Sequence, residues 1–289
     1  DKKIEDIKEL TDGMCNVTYD ITFEDVSESI LKIASRDRRG NTSNEVNLMQ
    51  AEIKAMKLVS ENCSFKVADV WYYDTGKTVC DSDYFFMEKL QGDNFFLVRE
   101  GMSEEVIATI DTEIGRISRE LSNIRNSEFG FLGEDKRYDS LFGFVKQMLL
   151  NLILDAQKRG IDIIYDEQTF MEQLEKDKSA FETIRNASLV HWDMWEGNVF
   201  VKAGHVSGII DWERALWGDA FMDDRFRMHN RGKHFLEGFG QTSFSEDELK
   251  RLRWYDIILY LTMMIEVFYR EFEEKGQYFW AREMLEKSM

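Results

Sequence analysis

Apolar and polar positions alternate along much of the first ninety residues, as in β-strands with one buried face. After a turn at residues 12–13, the apolar side chains Val17, Tyr19, Ile21 and Phe23 occupy every second position. A polar turn at residues 24–28 separates this run from the next one. The sequence therefore predicts strands over residues 9–23, 29–33, 66–73 and 84–87.

Apolar residues three and four positions apart predict one helix within this strand-rich part of the chain. They are Val46, Met49, Ile53, Met56 and Val59, which share one helical face. The predicted helix covers residues 43–59.

Beyond residue 88 the helical period dominates. Ser103 is a candidate N-cap for a long amphipathic helix, and Ser245 with Glu248 has the spacing of a capping box. Further helices are predicted over residues 141–156 and 170–184. We therefore predict an α+β fold. Residues 1–90 form an N-terminal lobe with an antiparallel sheet and one long helix, and residues 91–289 form a mainly helical C-terminal lobe.

One stretch, LVHWDMWEGNVFVKAGHVSGIIDWERALWGDAF at residues 189–221, holds most of the candidate chemistry. A polar loop is followed by two short apolar runs that a Lys-Ala-Gly turn joins, which predicts a β-hairpin. The hairpin brings Asp193, Asn198 and Asp211 to one point. Two carboxylates and an amide oxygen are hard ligands suited to Mg²⁺.

The order is Asp, four residues, Asn, a hairpin, and a second Asp, which is also the order in protein kinases. Here Asp211 is followed by Trp-Glu, where protein kinases have Phe-Gly. The segments HWDMWEGNVFV and GIIDWERALWGD resemble the aminoglycoside phosphotransferase and choline kinase-like family of small-molecule kinases. That resemblance implies a two-lobed protein kinase-like fold. It also implies Mg²⁺-dependent transfer of phosphate from ATP or GTP to a hydroxyl of a small molecule.

The resemblance also implies roles for individual residues. Asp193 is the candidate base or orienting group for the acceptor hydroxyl, and Asn198 and Asp211 are candidate Mg²⁺ ligands. Lys32 would pair the α- and β-phosphates and be held by a glutamate of the first helix. Glu52 is preferred and Glu45 is the alternative.

Other residues are candidates for nucleotide binding. Gly13 and Asn16 match the family's loop over the nucleotide phosphates, although a glycine in a β-turn is more often structural. Glu88 and Leu90 belong to the lobe connector, whose backbone would hydrogen-bond the adenine ring. Lys32 also has a simpler interpretation, as a solvated residue in the middle of a strand.

The central stretch departs from the family pattern near the expected acceptor pocket. Trp192 stands where the family commonly has Gly, and Trp195-Glu196 replaces His-Pro. Trp195 and Glu196 together could hold an amine by cation–π and charge contacts. His191 is predicted to brace the loop through hydrogen bonds. The chain has no proline, and Ala220 stands where the family commonly has one.

Composition narrows the possible partners. With 37 basic and 55 acidic residues the net charge is −18, which disfavours nucleic acid and suits a cationic acceptor. Solubility alone is the alternative explanation of that charge. The three cysteines show no metal-ligand spacing, no apolar signal region opens the chain, and the apolar run at 254–269 contains two acids. We therefore expect a cytoplasmic protein without a membrane span. The competing functions are a catalytically silent nucleotide-binding scaffold and a protein kinase-like enzyme.

Overall fold

The computed structural model describes residues 2–10, 16–36 and 39–289. Twelve strands lie in this part of the chain: β1 Ile4–Leu10, β2 Asn16–Phe23, β3 Glu28–Ala34, β4 Val70–Asp74, β5 Tyr84–Met87, β6 Asp93–Asn94, β7 Arg125–Asn126, β8 Gly130–Phe131, β9 Ala187–Val190, β10 Val199–Lys202, β11 His205–Ile209 and β12 Leu216–Gly218.

Nine α-helices lie in the same described part: α1 Leu48–Asn62, α2 Phe95–Val98, α3 Glu104–Leu121, α4 Leu141–Arg159, α5 Glu167–Lys176, α6 Lys178–Phe181, α7 Lys233–Phe239, α8 Glu246–Tyr269 and α9 Gly276–Ser288. Within these described ranges, five strands and helix α1 precede residue 88, and eight helices with seven short strands follow it, which confirms the predicted α+β class. The lobe boundary at residue 90 stays a prediction.

The N-terminal strands form one antiparallel sheet in the order β1–β2–β3–β5–β4. The strand β3 is central, and its Lys32 lies opposite Thr18 on one side and Phe85 on the other. A central strand has both edges paired, so the position of Lys32 along the sheet is fixed by two neighbouring ladders.

Helix α1 begins five residues later than predicted, at Leu48. The preceding residue, Asn47, has left-handed backbone angles (φ 48°, ψ 45°), which no α-helix can include. Residues 43–47 instead form an entry loop held by α4, where Ser43 donates to the Asp155 carboxylate from both its amide and its hydroxyl. The predicted start of the helix was wrong because it relied on apolar spacing alone, whereas polar contacts to a distant helix determine where α1 begins.

The predicted hairpin is present as β10 and β11, which pair antiparallel. Its turn residues Ala203 and Gly204 both have positive φ (52° and 82°), as tight hairpin turns require. Strand β6 pairs with the other edge of β10, and a separate sheet has the order β7–β9–β12–β8. The polar loop of the central stretch therefore runs from β9 in one small sheet to β10 in the other.

Capping signals in the sequence were reliable. The Ser103 hydroxyl accepts from the Val106 amide at the start of α3, and α8 opens with the complete Ser245–Glu248 capping box. The predicted helix over 170–184 was wrong, because it divides at Asp177 into α5 and α6. The strand predicted at residue 66 likewise begins only at Val70.

A single apolar core extends from α1 through the sheets to α8 and α9. No helix among the described residues is both long enough and apolar enough to cross a bilayer.

Candidate active site

The loop between β9 and β10 is braced by a buried histidine. His191 is fully buried, and its Nε2 lies 2.9 Å from the carbonyl oxygen of Ile210. A carbonyl only accepts, so Nε2 donates there, and Nδ1 accepts from the Asp193 amide at 3.3 Å. Burial lowers the pKa of His191 to about 4, so the imidazole is neutral at pH 7. These are the bracing bonds predicted for His191.

Asp193 and Asn198 contact each other at the two ends of this loop. The Asn198 Nδ2 donates to the Asp193 carbonyl at 2.8 Å and lies 3.4 Å from Asp193 Oδ2. The amide nitrogen is thereby used within the loop, which leaves Oδ1 as the atom with which Asn198 can bind a ligand. The Ile210 amide donates to the Asn198 carbonyl at 3.0 Å, so Asp211 follows directly beside Asn198.

The Asp193 carboxyl group lies in an acidic environment. Burial is the largest cause that raises its pKa, to about 8. Nearby Asp211, Asp224 and Glu266 also raise this pKa, while Arg214 lowers it. A carboxylate with a raised pKa in a cleft has the basicity that a proton acceptor needs.

Lys32 lies between two carboxylates, and its interpretation as an outward solvated residue is wrong. Its Nζ is 2.7 Å from Glu52 Oε1 and 2.9 Å from Asp211 Oδ1, and the side chain is only 10% exposed. Burial acts to lower the pKa of Lys32, but Asp211, Glu52 and Glu213 together raise it well above its usual range. The ammonium is therefore permanently charged at this point of the cleft.

The predicted partner of Lys32 is thus Glu52, and the alternative, Glu45, is wrong. Glu45 turns away from β3 and binds Arg214 at 2.8 Å and Arg270 at 2.7 Å. The sequence left the two glutamates open because they lie seven residues apart, on the same side of a continuous helix. Glu45 lies instead in the entry loop, where the helical period does not apply.

A third carboxylate, Glu213, was missed in the sequence. It is buried, and its Oε2 accepts from Asn16 Nδ2 at 2.9 Å. Glu52, Asp211 and Glu213 each offer an oxygen within 4.8 Å of the others, a separation that one divalent cation can bridge. Burial, followed by the charge of Asp211, raises the pKa of Glu213 to about 7. The sequence feature that could have indicated Glu213 is its position two residues after Asp211, in the Asp-Trp-Glu segment of the central stretch.

Backbone geometry brings these acids together. Asp211 has left-handed angles (φ 65°, ψ 56°) at the start of the 3₁₀ turn Trp212–Arg214. Such a conformation is uncommon outside glycine and marks a position that its surroundings fix. Burial acts to raise the pKa of Asp211, but the Lys32 ammonium outweighs it and holds that pKa below its usual range.

The connector after β5 has its side chains engaged in packing and ion pairing. Glu88 pairs with Lys66, and Leu90 is buried against β11. A Cβ built on Gly208 would lie 2.6 Å from Leu90 Cδ1, so a larger residue at this position of β11 would require the Leu90 side chain to shift. Gly13 lies outside the described residues, and its place over the phosphates stays a prediction.

Trp192 occupies the loop position where a glycine was expected, and the backbone explains that expectation. Its φ is 70°, a region that favours glycine, and its amide donates to Asp223 Oδ2 at 3.1 Å. Its ring packs on Phe131 with centroids 5.5 Å apart. Trp192 is thus held by one hydrogen bond and one ring contact in a conformation that costs energy.

Beside it, Trp195 is 42% exposed and its ring lies 5.3 Å from that of Phe96, which is 54% exposed. The prediction that Trp195 and Glu196 together hold an amine needs correction at Glu196. The Glu196 carboxylate lies 2.9 Å from Arg99 Nε and 4.0 Å from Arg225 Nη1, so its charge is already compensated. Trp195 and Phe96 form an exposed aromatic pair, and Trp195 lies two residues after Asp193 in the loop.

Solved structures similar to this chain include aminoglycoside phosphotransferases. One is a thermostable mutant of aminoglycoside phosphotransferase APH(4)-Ia in a ternary complex with AMP-PNP and hygromycin B. It has a TM-score of 0.69 and 15% identity, with 99% of this chain and 94% of that chain covered. Another is the streptomycin–ATP–APH(2")-IIa ternary complex, with a TM-score of 0.61, 15% identity, and 98% and 92% covered. A third is the GDP complex of wild-type aminoglycoside 2'-phosphotransferase-IIIa, with a TM-score of 0.65, 14% identity, and 99% and 93% covered.

These likenesses confirm the predicted two-lobed kinase-like fold. No curated protein matches the chain in sequence. The sequence profile of the phosphotransferase enzyme family matches residues 6–255, a range that contains the loop, the hairpin, and the cluster around Lys32. The chain therefore belongs to the phosphotransferase enzyme family and is a small-molecule kinase.

Proposed function

We propose that this protein transfers the γ-phosphate of ATP or GTP to a hydroxyl of a cationic small molecule, an amino sugar or an amino alcohol. One observation carries the proposal. Lys32, clamped by Glu52 at 2.7 Å, meets Asp211 at 2.9 Å at the end of the hairpin that also holds Asn198 beside Asp193. Phosphoryl transfer needs such a grouping, because its catalysis is mainly positioning and charge stabilisation.

The donor set fits Mg²⁺. Asn198 uses Nδ2 for its hydrogen bonds within the loop, which leaves Oδ1 as its possible metal ligand, and Asp211, Glu213 and Glu52 bring carboxylate oxygens together. We assign Asn198 and Asp211 as the principal ligands and Glu213 as an additional one. A bound Mg²⁺ would neutralise charge on the phosphate oxygens.

Asp193 acts on the acceptor side. Its carboxylate accepts a hydrogen bond from the acceptor hydroxyl, aims the oxygen lone pair at phosphorus, and takes the proton late in the transfer. The raised pKa, to about 8, supports this role because the group binds a proton readily near neutral pH. Arg214 acts in the opposite direction, because its positive charge favours the ionised carboxylate.

The nucleotide lies between the sheet and the helical part of the chain in this proposal. The backbone of Glu88 and Leu90 binds the base, and the loop of Gly13 and Asn16 covers the phosphates. Lys32 pairs the α- and β-phosphates. Complexes of the similar structures with AMP-PNP, ATP and GDP support a nucleoside triphosphate as the co-substrate.

A cationic acceptor is favoured by charge. Asp211, Asp224 and Glu266 all act on Asp193, and Arg214 is the one cation among the largest influences on its pKa. The chain as a whole carries −18, which raises the local concentration of cations. The similar structures bind hygromycin B and streptomycin, both named in their complexes.

Two measurements test the proposal. Phosphate transfer from labelled ATP or GTP is assayed with hygromycin B, streptomycin and choline as acceptors, for the wild type and Asp193→Asn. Mg²⁺ is then titrated against nucleotide binding for the wild type and Asp211→Ala, with Asp177→Asn as a control whose carboxylate binds Arg253 and Trp254 far along the chain. We expect transfer by the wild type, and Mg²⁺-dependent nucleotide binding that Asp211→Ala removes and Asp177→Asn keeps.

Nucleotide binding without hydrolysis or transfer to any acceptor would support the alternative, a silent nucleotide-binding scaffold. Against that alternative, the described residues retain Lys32, Asp193, Asn198 and Asp211 together.

A further inference from the structure

Four charged residues form a cluster behind the candidate site, which we call the four-charge cluster: Glu45, Arg214, Glu266 and Arg270. Glu45 Oε1 accepts from Arg214 at 2.8 Å and from Arg270 at 2.7 Å. Both arginines also pair with Glu266. Every side chain of the cluster is at most 16% exposed, and two acids balance two arginines.

The cluster closes a ring of contacts through the site. Seven residues after Glu45, helix α1 presents Glu52 to Lys32, and Lys32 binds Asp211. Three residues after Asp211, Arg214 returns to Glu45. Helix α1 also packs against the 3₁₀ turn that ends at Arg214. Two routes of contacts therefore connect Glu45 to Lys32, one through α1 and one through the turn.

We propose that Glu45 is a positioning residue for phosphoryl transfer, acting on Lys32 through Glu52 and Asp211. The inference rests on the proposed function and deepens it. Glu45 touches neither Lys32 nor Asp193 in the described contacts, so its role is to fix the groups that do.

Glu45 is suited to this role because each of its oxygens has a separate task. Oε1 binds the two arginines, while Oε2 accepts from the Thr42 amide at 2.8 Å and from the Thr42 hydroxyl at 3.2 Å. The carboxylate therefore joins the entry loop of α1 to the segment that follows Asp211. Without its charge, Arg214 would lose one of the two carboxylates with which it pairs, so the segment after Asp211 would be held less firmly to the entry loop.

Other contacts keep the fold of the entry loop when this charge is removed. Ser43 binds Asp155 through two hydrogen bonds of 2.6 Å, and Asn47 donates to the Gly133 carbonyl at 3.1 Å. These bonds hold the loop on the helical part of the chain but do not reach Arg214. The effect of losing Glu45 should therefore appear at the site before it appears in the fold.

The test is a double-mutant cycle on the full chain with Mg²⁺-ATP. We expect Glu45→Gln to lower kcat by about 10- to 100-fold, the scale for losing a residue that orients a catalytic group, and to change nucleotide KM by less than about 3-fold. In a Glu52→Gln background the same change should lower kcat clearly less than it does alone, because the route through Glu52 is already broken and only the route through the turn and Asp211 remains. The control is Asp177→Asn, which removes a comparable Arg pair from a helix end away from the site and should leave kcat unchanged.

A second readout does not depend on transfer. Acetic anhydride labelling of Lys32, quantified by mass spectrometry on the nucleotide-free protein, should be about 5-fold or more faster in Glu45→Gln than in the wild type or Asp177→Asn. Arg270→Gln, which removes one partner of Glu45 at the end of α8, should change both readouts in the same direction and provides the measurement if Glu45→Gln does not fold.

The two failures are distinguishable. If the wild type transfers no phosphate but Lys32 labelling responds as described, the proposed function fails and the positional link stands. If the wild type is active and Glu45→Gln lowers only the Tm, or costs as much in the Glu52→Gln background as alone, Glu45 is not a positioning residue.

Discussion

Replacing Asp193 by Asn should make the nucleotide-free protein more stable while it removes activity. Burial raises the pKa of Asp193 to about 8 from 3.8. The folded state thus retains a proton that the unfolded chain releases, so stability is complete below pH 3.8 and is lost as the pH rises through 8. At pH 7 the resulting loss of unfolding free energy is at most about 4 kcal/mol, because each unit of pKa difference is worth about 1.4 kcal/mol.

An amide has no such titration. We therefore expect the unfolding free energy of Asp193→Asn to exceed that of the wild type by about 1–3 kcal/mol at pH 7. The difference stays below the upper limit because the protein relaxes around the ionised carboxylate and so reduces the loss in the wild type. The difference should shrink towards zero near pH 4. Urea denaturation in EDTA between pH 4 and 9 measures it. The control Asp177→Asn should be destabilised at neutral pH, because that carboxylate is paired with Arg253.

Activity provides the second half of the test. Transfer by Asp193→Asn should fall by about 10²-fold or more, a typical scale for the loss of a general base, while nucleotide binding survives. If Asp193 merely capped the amides of its loop, the variant would be less stable and would transfer phosphate at nearly the wild-type rate. That pair of results would refute both the electrostatic reasoning and the catalytic assignment.

Three further changes are predicted from single contacts. Trp195→Ala, which removes half of the exposed aromatic pair, should raise the KM for the acceptor without changing that for the nucleotide; an equal rise in both would contradict it. Relative to His191→Gln, the wild type should lose about 3 kcal/mol of unfolding free energy as the pH falls from 6.5 to 4, because burial lowers the pKa of its imidazole to about 4. A difference in unfolding free energy that stays constant over this pH range in urea titrations would exclude this. Ala220→Pro should stabilise the chain by about 0.4–1 kcal/mol, since Ala220 opens a 3₁₀ turn after an extended Asp219; a lower Tm would show that the ring clashes.

Hydrophobic periodicity and capping residues were enough to predict the fold class and most elements. They succeeded where local preference and tertiary packing agree, as at Ser103 and at the capping box of Ser245. They failed where a distant partner decides the backbone. Asp177 ends a helix while its carboxylate binds Arg253 and Trp254, which lie about 76 residues away in the sequence. Local sequence patterns, which cover only neighbouring residues, cannot predict contacts between residues so far apart in the chain.

At the site, the resemblance predicted the Lys32–Glu52 pair correctly, whereas the other charged partners could not be predicted from the sequence pattern. Glu45 and Glu52 have similar sequence surroundings, yet one binds two arginines and the other binds Lys32. The identity of the partner depends on where α1 begins, which the entry loop determines. Glu196 shows the same limit, because its neutralisation by Arg99 depends on how α2 docks against the loop.

The summed charge of the site is a stronger argument for a bound divalent cation than the position of any single candidate ligand. Within the four-charge cluster, Arg214 lowers the pKa of Asp193 while Glu266 raises it, so the two residues oppose each other there. Asp193, Glu52, Asp211 and Glu213 would carry four negative charges against the single charge of Lys32, which leaves −3 if all are ionised. Burial, with the neighbouring carboxylates adding to it, favours the protonated forms and raises the pKa of Asp193 to about 8 and that of Glu213 to about 7. A divalent cation bound at the proposed ligands would replace those protons, so Mg²⁺ binding at pH 7 should release protons into solution, and more weakly in Glu213→Gln. Calorimetric titrations in buffers of different ionisation enthalpy measure that release, and Mg²⁺ binding without it would show that these acids are not the ones that the cation meets.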